Sequence, residues 1–434
     1  MTADTIVALA SGPPPAAISV LRLSGPAAIA GLSALTRVNL PPPRRLSLRR
    51  LLDPTDGLPL DTALVVIFDG PETASGEDLV ELHLHGGVAV VTGVLAALTA
   101  LPGVRLAEPG EYTRRAFANG RMDLAQIEGL ADLIAAETSS QRLAALSLTG
   151  GVLSRAADTW RNRCIDILSE AEAGLDFAEE EADVAEHISE TARAELIALV
   201  AELEILIADS ARGVRLRNGL TIVVTGEPNV GKSSVVNALT ASDAAIVTAI
   251  PGTTRDPIEV AMNLGGVAAV LIDTAGLRET DDPIEAEGIR RARLRASAAD
   301  LVIHLVDQWP VALTVDGLLV VNKIDLFDSP NLADSTVQFI SAVRGDGISE
   351  LRHWLTLWAA RTTRPGEPPL LAHARHRAAF VDAAAALTDA AATDDNVLRA
   401  EGLRLAARAF GRIAGRVDVD EVLDRIFSRF CIGK

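Results

Sequence analysis

The chain has 434 residues, of which 49% are hydrophobic and 23% charged; it is too long for one core and too apolar for a disordered chain. The formal net charge of -18, from 40 basic and 58 acidic residues, argues against a protein that simply coats nucleic acid. No apolar run approaches the roughly 20 uninterrupted residues of a membrane span.

The first segment, "MTADTIVALASGPPPAAISV", lacks a basic stretch and is broken by prolines, which disfavours a signal peptide. Residues 1–118 then read as mixed α/β. "AAISVLRLSG" and "TALVVIF" are apolar, β-branched runs that end in turn signals, and "EDLVELHLHGG" alternates from Leu79 until Gly86-Gly87 stops it. "VAVVTGVLAALTAL" fits a helix laid over that sheet. His83 and His85 share one face of the alternating strand; no third ligand at zinc spacing follows, so they do not specify a metal.

Residues 119–215 change character. "DLAQIEGLADLIAAETSSQRLAALSL" places Leu124, Ile127, Leu130 and Ile134 on one helical stripe, and two further long amphipathic segments follow, so a bundle is expected. Cys164 lies on an apolar stripe there and is expected in the core. It stands far from Cys431, a usage that fits a reducing cytosol without a disulfide framework.

Residues 216–362 alternate strand and helix. "GLTIVVTG", "VAAVLIDTAG", "DLVIHLVD", "GLLVVNKID" and "QFISA" predict five strands of a largely parallel sheet, with "NLGGV" turning an antiparallel edge hairpin. The last segment, residues 363–434, opens with the proline-rich linker "TTRPGEPPLLA" (362–372), and beyond it residues 373–434 are Ala/Leu helices too short to stand alone. They are expected to return onto the 119–215 helices. The fold class is therefore a mixed α/β N-terminal domain, a helical-bundle domain formed from two chain segments and, on the "GEPNVGKSS", "DTAG" and "NKID" that follow its strands, an inserted Ras-like P-loop GTPase domain.

The third segment carries the chemistry. "GEPNVGKSS" fits G-x-x-x-x-G-K-[ST] between a strand and a helix. Asn229, Val230, Gly231, Lys232, Ser233 and Ser234 are the expected phosphate contacts, with Lys232 on the β- and γ-phosphates and Ser233 on Mg2+. "NKID" follows an apolar strand; Asp325 would accept from guanine N1–H and the exocyclic amine, a donor pair that adenine lacks, while Asn322 and Lys323 brace the base and loop. Ser341 and Ala342 fit a backbone contact to guanine O6. Between these motifs, "IVTAIPGTTRD" lies where a mobile switch belongs. Thr248, Ala249, Ile250, Pro251, Gly252, Thr253 and Thr254 are its candidate GTP contacts, and Thr254 is the expected second Mg2+ ligand. Asp273 ends its strand and would hold the magnesium water shell, with Thr274, Ala275 and Gly276 completing "DTAG". Leu277 then stands where many GTPases keep a water-orienting glutamine.

Together with "FCIGK", "GEDLVELHLHGG", "PGEYTRRAFANGRMDLAQIEGLADLI" and "DEVLDRIFSRFCIGK", these motifs resemble the MnmE (TrmE) family of tRNA-modifying GTPases along the full length. The resemblance explains Leu277: such GTPases use K+ beside the phosphates in place of an arginine finger. It implies Asn229, Thr248, Ile250 and Thr253 as K+ ligands, Glu285 as the water-positioning acid and Arg278 as an assisting switch arginine. It also implies that a 5-formyl-tetrahydrofolate or related one-carbon folate binds the N-terminal domain through Arg22, Glu81, Arg121 and Lys434; position 121 is Arg where relatives often carry Lys. Cys431, beside that terminus, fits a reactive thiol or a packed one equally.

Further implications are a cytoplasmic homodimer whose hydrolysis follows G-domain dimerisation, and an FAD-dependent MnmG (GidA)-like partner in a heterotetramer or larger complex. Together they would place an aminomethyl or carboxymethylaminomethyl group on C5 of the wobble uridine of certain tRNAs. The alternatives are a ribosome-assembly or RNA-binding switch of the Era or Der type, which would need a basic appendage, and a scaffold with negligible turnover.

Overall fold

The computed structural model describes residues 4–177, 182–240, 259–273, 297, 299–309, 316–327, 337–366, 368–416, 426 and 433. The chain divides into two compact units, one of Met1–Ala131, Ser154–Asp158 and Gly411–Lys434, the other of Asp132–Leu153 and Thr159–Phe410.

The first unit contains β1 (Thr5–Leu9), β2 (Ile18–Ser24), α1 (Ala28–Thr36), β3 (Ser47–Leu52), β4 (Pro59–Phe68), β5 (Leu79–His85), α2 (Val88–Thr99), β6 (Val104–Leu106) and α3 (Glu111–Ala118). Its six strands form one sheet in the order β3-β4-β5-β2-β1-β6. The period-two pattern sorts its faces: Leu21, Leu23, Leu82 and Leu84 point into a core closed by Leu32 of α1 and by Val94 and Leu98 of α2. Arg22 and Glu81 stand opposite each other on the other face.

One ion network secures the N-terminal strand. Arg115 of α3, with its side chain 7% exposed, reaches Asp4 (3.0 Å), Glu77 (3.1 Å) and Glu111 (3.0 Å), and Arg105 binds Asp4 and Glu111 at 2.6 Å. Burial opposes the charge on Asp4 and Glu111, but hydrogen bonds and charge from Arg105 and Arg115 outweigh it and hold both carboxyls below their ordinary range.

The second unit carries both the bundle and the inserted sheet. Its helices are α4 (Leu124–Ala135, which crosses from the first unit), α5 (Ser139–Thr149), α6 (Val152–Phe177) and α7 (Ala182–Asn218). The apolar period of the sequence runs through Ile134, yet the helix stops at Ala135 and Ile134 is exposed. Thr138 caps a new helix, accepting from the Gln141 backbone while the Gln141 side chain answers, a reciprocal box that outcompetes continuation.

The chain then passes directly into β7 (Leu220–Gly226), α8 (Lys232–Thr240), β8 (Glu259–Leu264), β9 (Val267–Asp273), β10 (Leu301–Val306), β11 (Leu318–Val321), β12 (Val337–Phe339) and α9 (Ile348–Thr363). The strand order is β12-β11-β10-β7-β9-β8, parallel except for the β8–β9 hairpin, as the sequence predicts. Strand β7 is central, and Leu220, Ile222 and Val224 are fully buried.

Helices α10 (Ala374–Ala392) and α11 (Asn396–Ile413) return to the bundle. Trp160 of α6 packs edge-on against Phe380 of α10 (5.2 Å) and stacks near Phe410 of α11 (6.1 Å), so the two chain segments share one core. Cys164 is fully buried, and burial pushes its thiol up to about 12.

Free carboxyls titrate near about pH 4, so the network's contribution is fully present above that pH and is lost as the pH falls through the lowered folded values. Amide exchange of β1, corrected for its intrinsic pH dependence, is expected to lose protection below about pH 4. At neutral pH Arg115→Ala, which takes the arginine from Glu77 and leaves Asp4 and Glu111 to Arg105 alone, should raise β1 exchange about 100-fold; an unchanged rate would mean that the network is dispensable.

Candidate guanine-nucleotide site

Strand β7 lies where the strand order reverses, flanked by β9 and β10, and in open α/β sheets ligands sit beyond the carboxyl ends of strands at such a point. The loop that leaves β7 needs its glycines. Gly226 has φ +152° and a Cβ there would sit 2.2 Å from Leu305 O; Gly231 has φ +97° and a Cβ there would meet Asn322 Nδ2 at 2.4 Å. Between them Asn229 holds a left-handed backbone, φ +66°.

Lys232 is buried at the start of α8, and its ammonium donates to Gly226 O (3.0 Å) and Glu227 O (2.9 Å), across the mouth of the loop. Ser233 Oγ donates to Asp273 Oδ2 at 2.5 Å. A hydroxyl and a carboxylate so placed form the hard-oxygen donor pair that suits Mg2+, and the preceding turn offers backbone donors to phosphate.

The base-reading residues converge on the same loop. Asn322, 2% exposed after β11, donates from Nδ2 to Val230 O (2.8 Å) and accepts at Oδ1 from Ala342 N (3.1 Å). Lys323 donates to Asn229 O and to Asp307 Oδ2, both at 2.7 Å. Asp325 presents an exposed carboxylate on a short 3-10 turn, Ile324–Leu326. Ser341 is fully buried, and its hydroxyl accepts from Arg344 N (3.2 Å), which shapes the turn carrying Ala342. Val230 is buried, while Ser234 is exposed on α8. Sequence reasoning missed Asp307, the partner of Lys323; its signal was a carboxylate closing the apolar run "LVIHLVD", the same pattern as Asp273.

Thr248, Ala249, Ile250, Pro251, Gly252, Thr253, Thr254, Thr274, Ala275, Gly276, Arg278, Glu285, Cys431 and Lys434 lie outside the described residues.

In the first unit Arg22 donates from Nε (3.0 Å) and Nη2 (2.8 Å) to Glu81 Oε1, while the Tyr112 hydroxyl donates to Arg22 O. The structure thus joins to each other the two residues expected to hold opposite ends of a folate. Arg121 is exposed and lies against Gly76. His83 Nε2 stands 3.5 Å from Glu81 Oε2, and His85 is paired with Asp61 at 2.8 Å. Among the described residues no cluster of three or more His, Cys, Asp or Glu is placed to hold a metal.

Residues 5–121 match the family described as "GTP-binding protein TrmE N-terminus", and residues 124–431 match "MnmE helical domain". A protein of Azorhizobium caulinodans named tRNA modification GTPase MnmE is 48% identical, covering 100% of this chain and 99% of its own. The chain belongs to the MnmE family. A Methylobacterium radiotolerans protein of the same name is 50% identical over 99% of both chains. Among solved structures, the FeoB G-domain from Methanococcus jannaschii is 26% identical, with 32% of this chain and 97% of that one covered and a TM-score of 0.23. As an MnmE-family protein with this site, the chain is a GTP-hydrolysing enzyme. None of its described helices is long and apolar enough to cross a membrane.

Asp325→Asn replaces the carboxylate acceptor by an amide that faces guanine's donors with one of its own. GTP affinity should fall about 100-fold or more, while xanthosine triphosphate, whose 2-oxo group accepts from an amide, should gain. Equal binding of GTP by both proteins in a fluorescent-nucleotide titration would remove Asp325 from base recognition.

Proposed function

We propose that this chain is a cytoplasmic, homodimeric GTPase that modifies tRNA together with an FAD-dependent partner of the MnmG (GidA) kind. The reaction places an aminomethyl or carboxymethylaminomethyl group on C5 of the wobble uridine. The observation that carries this reading is full-length identity of 48% to a protein named for tRNA modification, combined with the guanine-nucleotide site. The net charge of -18 supports a division of labour in which the partner provides most of the tRNA contact. The functional domains run over residues 1–118, 119–215 with 363–434, and 216–362.

Hydrolysis in this reading is potassium-stimulated and requires two GTPase domains to meet. K+, when bound, would supply positive charge that offsets charge developing on the phosphates. This chain's part is to hold the ion with Asn229, Thr248, Ile250 and Thr253 and to orient the attacking water from Glu285, assisted by Arg278. Asn229 suits that role because its left-handed backbone is fixed by the Lys323 ammonium on its carbonyl. Ser233, Thr254 and the shell around Asp273 hold Mg2+.

The one-carbon donor is a 5-formyl-tetrahydrofolate-like folate bound by Arg22, Glu81, Arg121 and Lys434. Chemistry of the donor set supports it: Glu81 can accept from the pterin's donor edge, and guanidinium groups suit the glutamate tail. Binding then requires Glu81 to share or leave Arg22.

GTP turnover in KCl against matched NaCl tests the hydrolytic part. Potassium is expected to raise the rate about tenfold or more, and Glu285→Ala to remove about 100-fold. Equal slow rates in both salts would overturn the self-activating reading. Loss of modified wobble uridine on gene deletion separates a tRNA-modifying enzyme from other switch GTPases.

A further inference from the structure

The inserted GTPase domain is joined to the bundle by two crossings, inbound from α7 into β7 and outbound from α9 to α10. They run side by side and are fastened at successive levels. Asp209 of α7 binds Arg212 of the same helix (2.6 Å) and Arg364 of the outbound segment (2.7 Å), while Arg212 donates to Thr363 O (3.2 Å). One turn on, a Cβ at Gly213 would lie 2.0 Å from Leu371 O, so the two crossings touch backbone to backbone.

At the root both crossings meet a single carboxylate. Asp132 of α4, 17% exposed, accepts from Arg217 Nε (2.9 Å) on the inbound side and from His373 Nε2 (2.7 Å) at the start of α10. Burial alone would raise its pKa, but the His373 and Arg217 bonds hold the carboxyl below its ordinary range. Gln141 of α5 donates to Arg217 O (2.9 Å), and Ser140 N donates to Gly266 O (3.2 Å) in the β8–β9 hairpin. Arg215 binds Asp300 (2.6 Å), which also accepts from Thr221 N (2.9 Å), so the inbound helix is tied to the start of the P-loop strand. Beside this knot lies a cavity of about 140 Å³ lined in part by Asp132, Gln141, Leu148, Arg217 and Leu370.

We infer that Asp132 is the latch of a hinge at the root of the GTPase domain, coupling the state of the bound nucleotide to the helical bundle. Closed, it locks both crossings to α4, and β7 becomes a stiff connection between the P-loop and Arg217. Open, Arg217 and His373 separate into the adjoining space and the domain turns on the end of α7. Asp132 is a positioning residue; it touches no substrate. The inference rests on the insertion architecture and the GTP site, not on potassium, folate or tRNA.

Hydrogen exchange on the full-length protein, with GDP and with a non-hydrolysable GTP analogue, tests it. In the native sequence, amides of 213–219 and 369–377 are expected to differ between the two nucleotides. Asp132→Asn should speed exchange of both segments about tenfold and abolish that difference, with nucleotide affinity unchanged within about twofold. Tighter or looser packing alone would change the rates without removing their nucleotide dependence. If Asp132→Asn fails to fold, His373→Ala, which leaves the Arg217 bond intact, is expected to remove the difference from 369–377. A difference that survives in a folded variant, or that is missing from the native protein, overturns the latch. Equal turnover in KCl and NaCl would sink the potassium reading and leave this one standing.

Discussion

A buried side-chain amide organises the nucleotide site. Asn322 leaves β11 and pins Val230 of the P-loop on one side and Ala342 of the last strand's turn on the other. Three loops from three strand ends are thereby held as one surface. Because the amide is 2% exposed, any partner it lost would cost a full desolvation penalty, so its bonds are made before nucleotide arrives. Gly231 follows from this: the amide passes so close that no side chain fits there.

Around that surface the sheet supplies direction. The central strand β7 delivers the P-loop, β9 delivers Asp273 to Ser233, and β10 delivers Asp307 to Lys323. Asp273 ends a strand buried at all but one position and Asp307 follows one buried at alternate positions, which fixes where each carboxylate emerges. The same strand β7 begins after a single residue, Gly219, beyond the end of α7, so the P-loop and the bundle share a short, continuous path of chain. Arg215 and Arg217, in the last turn of α7, stiffen that path through their pairs with Asp300 and Asp132.

The bundle also shows how far pattern reaches. Leu124 and Ile127 are buried as the helical stripe predicts, but Ile134 is exposed because Thr138 and Gln141 start a new helix. That break was legible in "TSSQ", a capping box outweighed by the apolar period around it. Strand β3, "SLRRLL", carried no clear alternation of its own; pairing with β4 makes it a strand.

Local spacing determined the P-loop, the guanine motif, the parallel sheet with its antiparallel edge and the two-part bundle, because each rests on periodicity or on residues within one turn of each other. Only the tertiary structure decided the rest. The pairing of Arg22 with Glu81 depends on β2 and β5 meeting in register. The bonds of Asp132 to Arg217 and His373 join residues 85 and 241 positions away, at a distance along the chain where no local pattern specifies a partner.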